Sequence, residues 1–293
     1  MRTNLQPALR VNMQPTPHHN LRVNPLRESE TAEVYRFLSR NPLRTFGLLG
    51  MMSRNGLTGV NNRGKFYGCR DYAGNLRGVA LIGHFTLFEA RHPTALKAFA
   101  AATRQHTDIR LLLGEQSDIR RFWDCYGADR RAQPESAAYS LLTANSFPAT
   151  QPPAALRPAT LDDLEEVVAA HAQGTYEEKG FDPLQTEPEA FRRRCEQRIE
   201  QQATWLCRTP EQLVFKAEII CATSAVAYLE GVWVPPALRR SNFGQHCLAA
   251  LGRQLLEQSS VVCLLADDDQ PARRAFYEKA GFALAGQFIA NCF

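Results

Sequence analysis

The sequence lacks any unbroken apolar run of the roughly 18 residues that a membrane-spanning helix needs. A protein with such a helix is therefore not expected. The opening stretch, MRTNLQPALRVNMQPTPHHN, lacks the apolar core of an export signal, which points to a cytoplasmic location. Eight cysteines stand at 69, 125, 195, 207, 221, 247, 263 and 292 without a single Cys-x-x-Cys pair. This spacing argues against the usual zinc and disulfide frameworks, and several of the thiols fall in apolar patterns, as reduced core residues do. Charge of one sign is also scarce: the net balance is +4 over 293 residues, too mild to mark a nucleic-acid partner. His84, His92 and His106 have no companions at metal-ligand spacing, so each reads as a surface or packing residue and no metal site is expected.

What is present divides into two organised regions. Residues 1–25 are rich in Pro, Asn and Gln without a period and read as a poorly ordered tail. A first region spans 26–146. Helices are expected over Glu28–Arg40 and Thr45–Met52, and strands over Lys65–Arg70, Leu76–Gly83 and Thr86–Glu89. A helix over Thr94–Gln105, a strand over Ile109–Leu113, a helix over Asp118–Tyr126 and a strand over Ala138–Thr143 follow. Phe147–Pro158 is Pro-rich, and 147–155 reads as a linker to a second region at 156–293.

In the second region Thr160 and Asp163 have capping-box spacing ahead of an apolar stripe made by Leu161, Leu164, Val167 and Val168. Tyr176–Pro183 reads as a charged turn. Glu187–Gln201 reads as a helix with a solvated arginine face (Arg192, Arg193, Arg194 and Arg198) interleaved with acids. Thr204–Arg208 and Gln212–Thr223 are expected strands. In the latter, Lys216 and Glu218 face away from Phe215 and Ala217. The organising stretch comes next. Val226–Val234 is an apolar strand ended by Pro235-Pro236. Then comes Arg239-Arg240-Ser241-Asn242-Phe243-Gly244, and a helix follows with Leu248, Leu251, Leu255 and Leu256 on one face. A strand, a short basic loop and a helix start form an anion site, because loop N–H groups and the positive end of the helix dipole converge there. Ser260–Ala266 is another strand, and Ala272–Phe282 a helix stopped by Gly281.

These two segments resemble the GNAT superfamily of acyl-CoA-dependent N-acyltransferases. The family's pyrophosphate signature is Q/R-x-x-G-x-G/A. Arg239 stands at its first position, Gly244 at its last, and Asn242 in place of the middle glycine. Asn is among the better substitutes where φ must be positive, so the loop is expected to keep its shape. Tyr277-Glu278-Lys279-Ala280-Gly281-Phe282 matches the family's last helix and its stop. With Lys216-Ala217-Glu218, Glu230-Gly231-Val232-Trp233-Val234 and the first region, the chain is similar over about 35–290 to a bacterial two-domain family whose N-terminal half has no known function.

The resemblance implies an α/β fold with a mixed sheet: a C-terminal GNAT fold preceded by a diverged GNAT-like domain of the same β-β-β-α-β-α-β order. It implies acetyl-CoA as cofactor and a small-molecule or peptide amine as acceptor. Cofactor contacts would come from Val232, Trp233, Val234, Arg239, Arg240, Ser241, Asn242, Phe243, Gly244, Gln245 and Asp269. Tyr277 aligns with the tyrosine that protonates the departing thiolate, although Ala272 precedes it by one residue more than usual, which leaves Phe276 as the alternative facing residue. Glu230 is the first candidate for general base and Glu218 the second. Tyr176, Glu177 and Glu178 border the acceptor side. No nucleophile constellation occurs, so direct transfer in a ternary complex is expected over an acyl-enzyme. Ala90-Arg91-His92-Pro93, at the corresponding loop of the first region, has no glycine, and that region is not expected to hold acyl-CoA in the usual way. A second class of reading is a non-catalytic acyl-CoA sensor or interaction module on the same scaffold.

Overall fold

Val79–Ile82 and Val214–Glu218 are buried at every position, as in strands covered on both faces. They lie near the middles of two similar halves joined in one sheet. The computed structural model describes residues 21–106, 108–127, 134–152 and 154–293. The first half runs β1 (Arg22–Pro25), α1 (Thr31–Leu38), α2 (Pro42–Asn55), β2 (Gly64–Arg70), β3 (Leu76–Gly83), β4 (Phe85–Ala90), α3 (Pro93–Thr103), β5 (Leu111–Glu115), α4 (Gln116–Tyr126) and β6 (Glu135–Ala144). The second half repeats the order. It runs β7 (Leu156–Pro158), α5 (Leu164–Lys179), a short α6 (Pro183–Thr186), α7 (Pro188–Glu200), β8 (Thr204–Arg208), β9 (Leu213–Ala222), β10 (Ala227–Trp233), α8 (Phe243–Leu256), β11 (Val262–Asp267), α9 (Pro271–Ala280) and β12 (Ala283–Cys292).

The strand order is β1-β2-β3-β4-β5-β12-β6-β11-β10-β9-β8-β7. The halves therefore exchange strands. β12, the last strand of the second half, lies between β5 and β6 of the first, and β6 lies between β11 and β12. In each half one parallel pair, β4 with β5 and β10 with β11, starts together and then separates. Helix α2 of the first half reaches across the junction. Phe46 stacks on Tyr228 of β10 with ring centroids 4.2 Å apart, and Arg54 donates to the carbonyls of Ile219 and Ile220.

The capping box forms as the spacing predicts. The Thr160 N–H donates to Asp163 Oδ2 at 2.8 Å, and Arg157 pairs with the same carboxylate at 2.7 Å, holding its pKa down at about 2. Other expectations change. Residues 1–20 of the expected tail lie outside the described residues, while Arg22–Pro25 form β1 against β2. Tyr176–Lys179 are not a turn but the last turn of α5, which Gly180 ends at φ +73. The Pro-rich linker is fastened down: Phe147 packs on Phe282, and Arg253 donates to the carbonyls of Pro148 and Thr150. Lastly, Arg198 turns inward to Glu218 instead of lying on a solvated face, because the carboxylate beneath α7 is fully buried and needs a cation.

Candidate active site

β10 stays with β11 only as far as the Leu229–Leu264 pair, while β11 continues to Asp267 against β6. The cause sits in β10. Glu230 opposes Glu218 and Trp233 opposes Lys216, so Gly231 and Val232 together face the single residue Ala217 of β9. That extra residue is a bulge, with Gly231 in the left-handed region at φ +55. A Cβ on Gly231 would come within 3.2 Å of Lys216 Nζ, so both the backbone angle and the space favour glycine. The bulge bends β10 away from β11 and opens a wedge at the end of the strand.

The basic loop stands at the mouth of this wedge. Asn242 has φ +64 and serves as N-cap of α8, its carbonyl accepting from the His246 N–H at 3.0 Å. The asparagine thus keeps the left-handed bend that a glycine would supply. Arg240 is left-handed too, at φ +84, and Ser241 Oγ–H donates to the Leu238 carbonyl. The first-turn N–H groups of Phe243, Gly244 and Gln245 have no intrahelical partners and point out of the helix end. Gly244 is buried. A Cβ there would meet Val234 Cγ2 at 2.5 Å and Phe276 at 3.2 Å, so it sets how closely α8 approaches β10 and α9. Arg239 donates from Nε to the Val234 carbonyl, and its Nη2 pairs with both oxygens of Glu177 at 2.9 and 2.7 Å. A helix N-terminus beside a tight left-handed loop, with Arg239 next to it, suits a pyrophosphate.

Helix α9 forms the other wall and begins at Pro271, one residue earlier than expected. Tyr277 lies in the core, where it packs near Phe282, and Phe276 stands beside Gly244. Burial pushes the Tyr277 phenol up to about 12, with Arg273 opposing, so it stays protonated at any working pH. Arg273 pairs with Glu178, so α5 is tied to α9 through Glu178 and to the basic loop through Glu177. Asp269 stands apart from this grouping. It is exposed in the turn before α9, where its N–H donates to Asp267 Oδ1 at 3.0 Å.

The two base candidates differ sharply. Glu230 is exposed at the wedge and accepts from the Tyr228 hydroxyl at 2.8 Å. Glu218 is 1% exposed and surrounded: Lys216 Nζ lies 2.8 Å from Oε1, His171 Nδ1 lies at the same distance, and Arg198 binds Oε2. A buried carboxylate paired with the Arg198 guanidinium suits the part of a fixed charge anchor. The charges on Lys216 and Glu218 were visible in an otherwise apolar strand. His171 and the inward turn of Arg198 were not, since helical spacing alone does not say which face meets a buried acid.

Burial, with Lys216 and Arg198 nearby, pushes His171 down to about 2 and keeps it neutral. Below about pH 6.5 the unfolded chain takes up a proton that the folded chain refuses, so acid destabilises the fold. At pH 5 this one residue is expected to cost about 2 kcal/mol. His171→Gln should flatten the fall in urea midpoint between pH 7 and 5 relative to the wild-type chain. Parallel pH curves for the two proteins would contradict the assignment.

The first half carries a split of the same kind. β4 and β5 pair at Phe85–Leu111 and Thr86–Leu112 and then part. Arg44 of α2 ties the separated ends together, at 3.4 Å from Glu89 and 2.6 Å from Glu115, with a third ion pair to Asp118 of α4. A cavity of about 320 Å³ remains beside it, and His92 Nδ1 accepts from the Thr94 N–H as the cap of α3.

Among the described residues no cluster of acids, histidines and cysteines could hold a metal ion, and no helix is long and apolar enough to cross a membrane. Residues 182–282 match the acetyltransferase (GNAT) family. No curated protein matches the chain. Among solved structures, it is similar to an acetyltransferase from the GNAT family of Colwellia psychrerythraea, at 12% identity and TM-score 0.57, over 93% of this chain and 99% of that one. A GCN5-related N-acetyltransferase from Sphaerobacter thermophilus matches at 10% identity and TM-score 0.53, over 92% and 94%. A tandem GNAT protein from the clavulanic acid biosynthesis pathway matches at 12% and 0.51, over 93% and 98%. At such identities these neighbours speak for the fold. The match to the acetyltransferase (GNAT) family thus covers residues 182–282, and over nearly its whole length the chain shares the fold of these neighbours.

Proposed function

We propose that the protein transfers an acetyl group from acetyl-CoA to a primary amine by direct attack within a ternary complex. The observation that carries this reading is the left-handed Arg240–Asn242 loop at the start of α8, set at the mouth of the wedge that the Gly231 bulge opens. Acetyl-CoA, when bound, supplies the activated acyl group. Arg239, Arg240 and the N–H groups of Phe243, Gly244 and Gln245 bind the pyrophosphate. The backbone of Val232, Trp233 and Val234 lines the wedge, where the Val232 N–H meets the oxygen that becomes negative during transfer. Glu230, acting through a water, takes the proton that the attacking amine sheds, and Tyr277 delivers its phenol proton to the departing sulfur. Glu218 acts from beneath as a fixed charge.

The pairing of Arg239 with Glu177 favours a second reading, a protein-interaction module whose cradle is closed by its own carboxylate. Calorimetric titration with acetyl-CoA and with coenzyme A separates the two. Micromolar binding of both is expected. No heat with either would leave the interaction module.

A further inference from the structure

The Lys216 side chain is fully buried, yet the reaction steps above leave it without work. Its ammonium touches two groups: Glu218 Oε1 at 2.8 Å and the carbonyl oxygen of Gly231 at 3.3 Å. The second contact is made to the bulge itself. Gly231 and Val232 share one peptide group, and no cis peptide occurs among the described residues. In a planar trans peptide the C=O and the N–H point in opposite directions. Because the Gly231 carbonyl turns to the Lys216 ammonium, the Val232 N–H points the opposite way, away from that ammonium.

We propose that Lys216 is a positioning residue of acyl transfer: its ammonium holds the Gly231 carbonyl and so aims and strengthens the Val232 N–H that meets the acyl oxygen. The proposal rests on the acyl-transfer reading given above. A cation on a peptide carbonyl polarises the whole peptide, and its N–H becomes a better donor. The surrounding groups keep the cation in place. Glu218, anchored by Arg198 and faced by His171, fixes the lysine from its own strand and from α5 and α7. The charges of Glu178 on α5 and Glu230 on β10, and Cys195 of α7, also bear on it. Oriented charge buried beneath a site needs no rearrangement when negative charge develops above it.

Burial and the Arg198 charge push Lys216 down to about 7. Its charge therefore fades across neutral pH. His171, already neutral, and Cys195, raised by burial, keep their charge states there.

The test uses the full chain and acetyl-CoA labelled with carbon-13 at the thioester carbonyl, read by NMR. In the wild-type complex the carbonyl resonance is expected downfield of free acetyl-CoA. It should return towards the free position as pH rises from about 6 to about 9, the window in which such a lysine loses its proton. Lys216→Met should abolish the displacement at every pH while leaving the Kd for coenzyme A within a few-fold. Lys216→Arg, which stays charged, should retain it at the alkaline end. Equal displacement in wild type and Lys216→Met would overturn the proposal. If the variants do not fold, the wild-type pH series decides alone, and a displacement that ignores pH overturns the proposal. Absence of any bound signal in wild type overturns the acyl-CoA reading itself, and this inference with it.

Discussion

Gly244→Asp is expected to lower the affinity for coenzyme A at least a hundredfold, a loss of about 2.7 kcal/mol. Two effects act together. The first is space. A Cβ at this position would stand 2.5 Å from Val234 Cγ2 and 3.2 Å from the Phe276 ring, so α8 must lift from the end of β10 and from α9. Overpacking of this kind destabilises by about 1–3 kcal/mol, and here it displaces the loop that carries Arg239 and Arg240. The second is charge. A carboxylate in the first turn of α8 takes the favourable end of the helix dipole for itself and repels a pyrophosphate. Gly244→Ala separates the two effects, since it adds the clash without the charge and should show an intermediate loss. Calorimetric titration of both variants, beside their thermal midpoints, makes the comparison. Wild-type affinity in Gly244→Asp would remove the loop from the binding site.

Tyr277→Phe should act on turnover and hardly on binding. Loss of a positioned proton donor costs roughly 10²- to 10⁴-fold in rate. The phenyl ring keeps the packing against Phe276 and Phe282, so the affinity for coenzyme A should stay within a few-fold of wild type. The pH dependence adds a check. With the phenol held up near 12, Tyr277 is protonated throughout the working range, and its removal should lower the pH–rate profile without bending it. Unchanged turnover, measured with any amine that the protein acetylates, would take Tyr277 out of the chemistry. A new limb near neutrality would mean that another group had taken over the proton.

Most of the elements were legible because their patterns are local. Leu76–Gly83 and Thr204–Arg208 form strands over the predicted residues, and Thr160 and Asp163 cap as their spacing requires. The left-handed Asn242 followed from its place at the signature's middle glycine together with asparagine's tolerance of positive φ. The missing parts depend on partners far along the chain. The residues of β12 carry little pattern of their own: Ala283–Gln287 alternates weakly, and the strand owes its place to β5 and β6 on either side. The Gly231 bulge was hidden because a bulge is a mismatch between two strands, and β10 by itself does not announce its register with β9. Arg198 was taken for a surface residue because the acid that draws it inward stands twenty residues later, on β9. In the first half the absent glycine at Ala90–Pro93 was readable, but Arg44 bridging the split ends was not, since its three carboxylates lie on β4, β5 and α4.

The exchange of β6 and β12 has a consequence for the order of events during synthesis. β5 and β6 leave the ribosome early but cannot close their gap until β12, made after almost all of the second half, arrives to fill it. Until then the first half presents two unpaired strand edges, the kind of surface that recruits other chains. Contacts between segments so distant in sequence also form slowly. The molecule should therefore mature as a unit, with neither half reaching its final state ahead of the other. A chain stopped before Ala283 would leave both halves open, not merely the second one shortened.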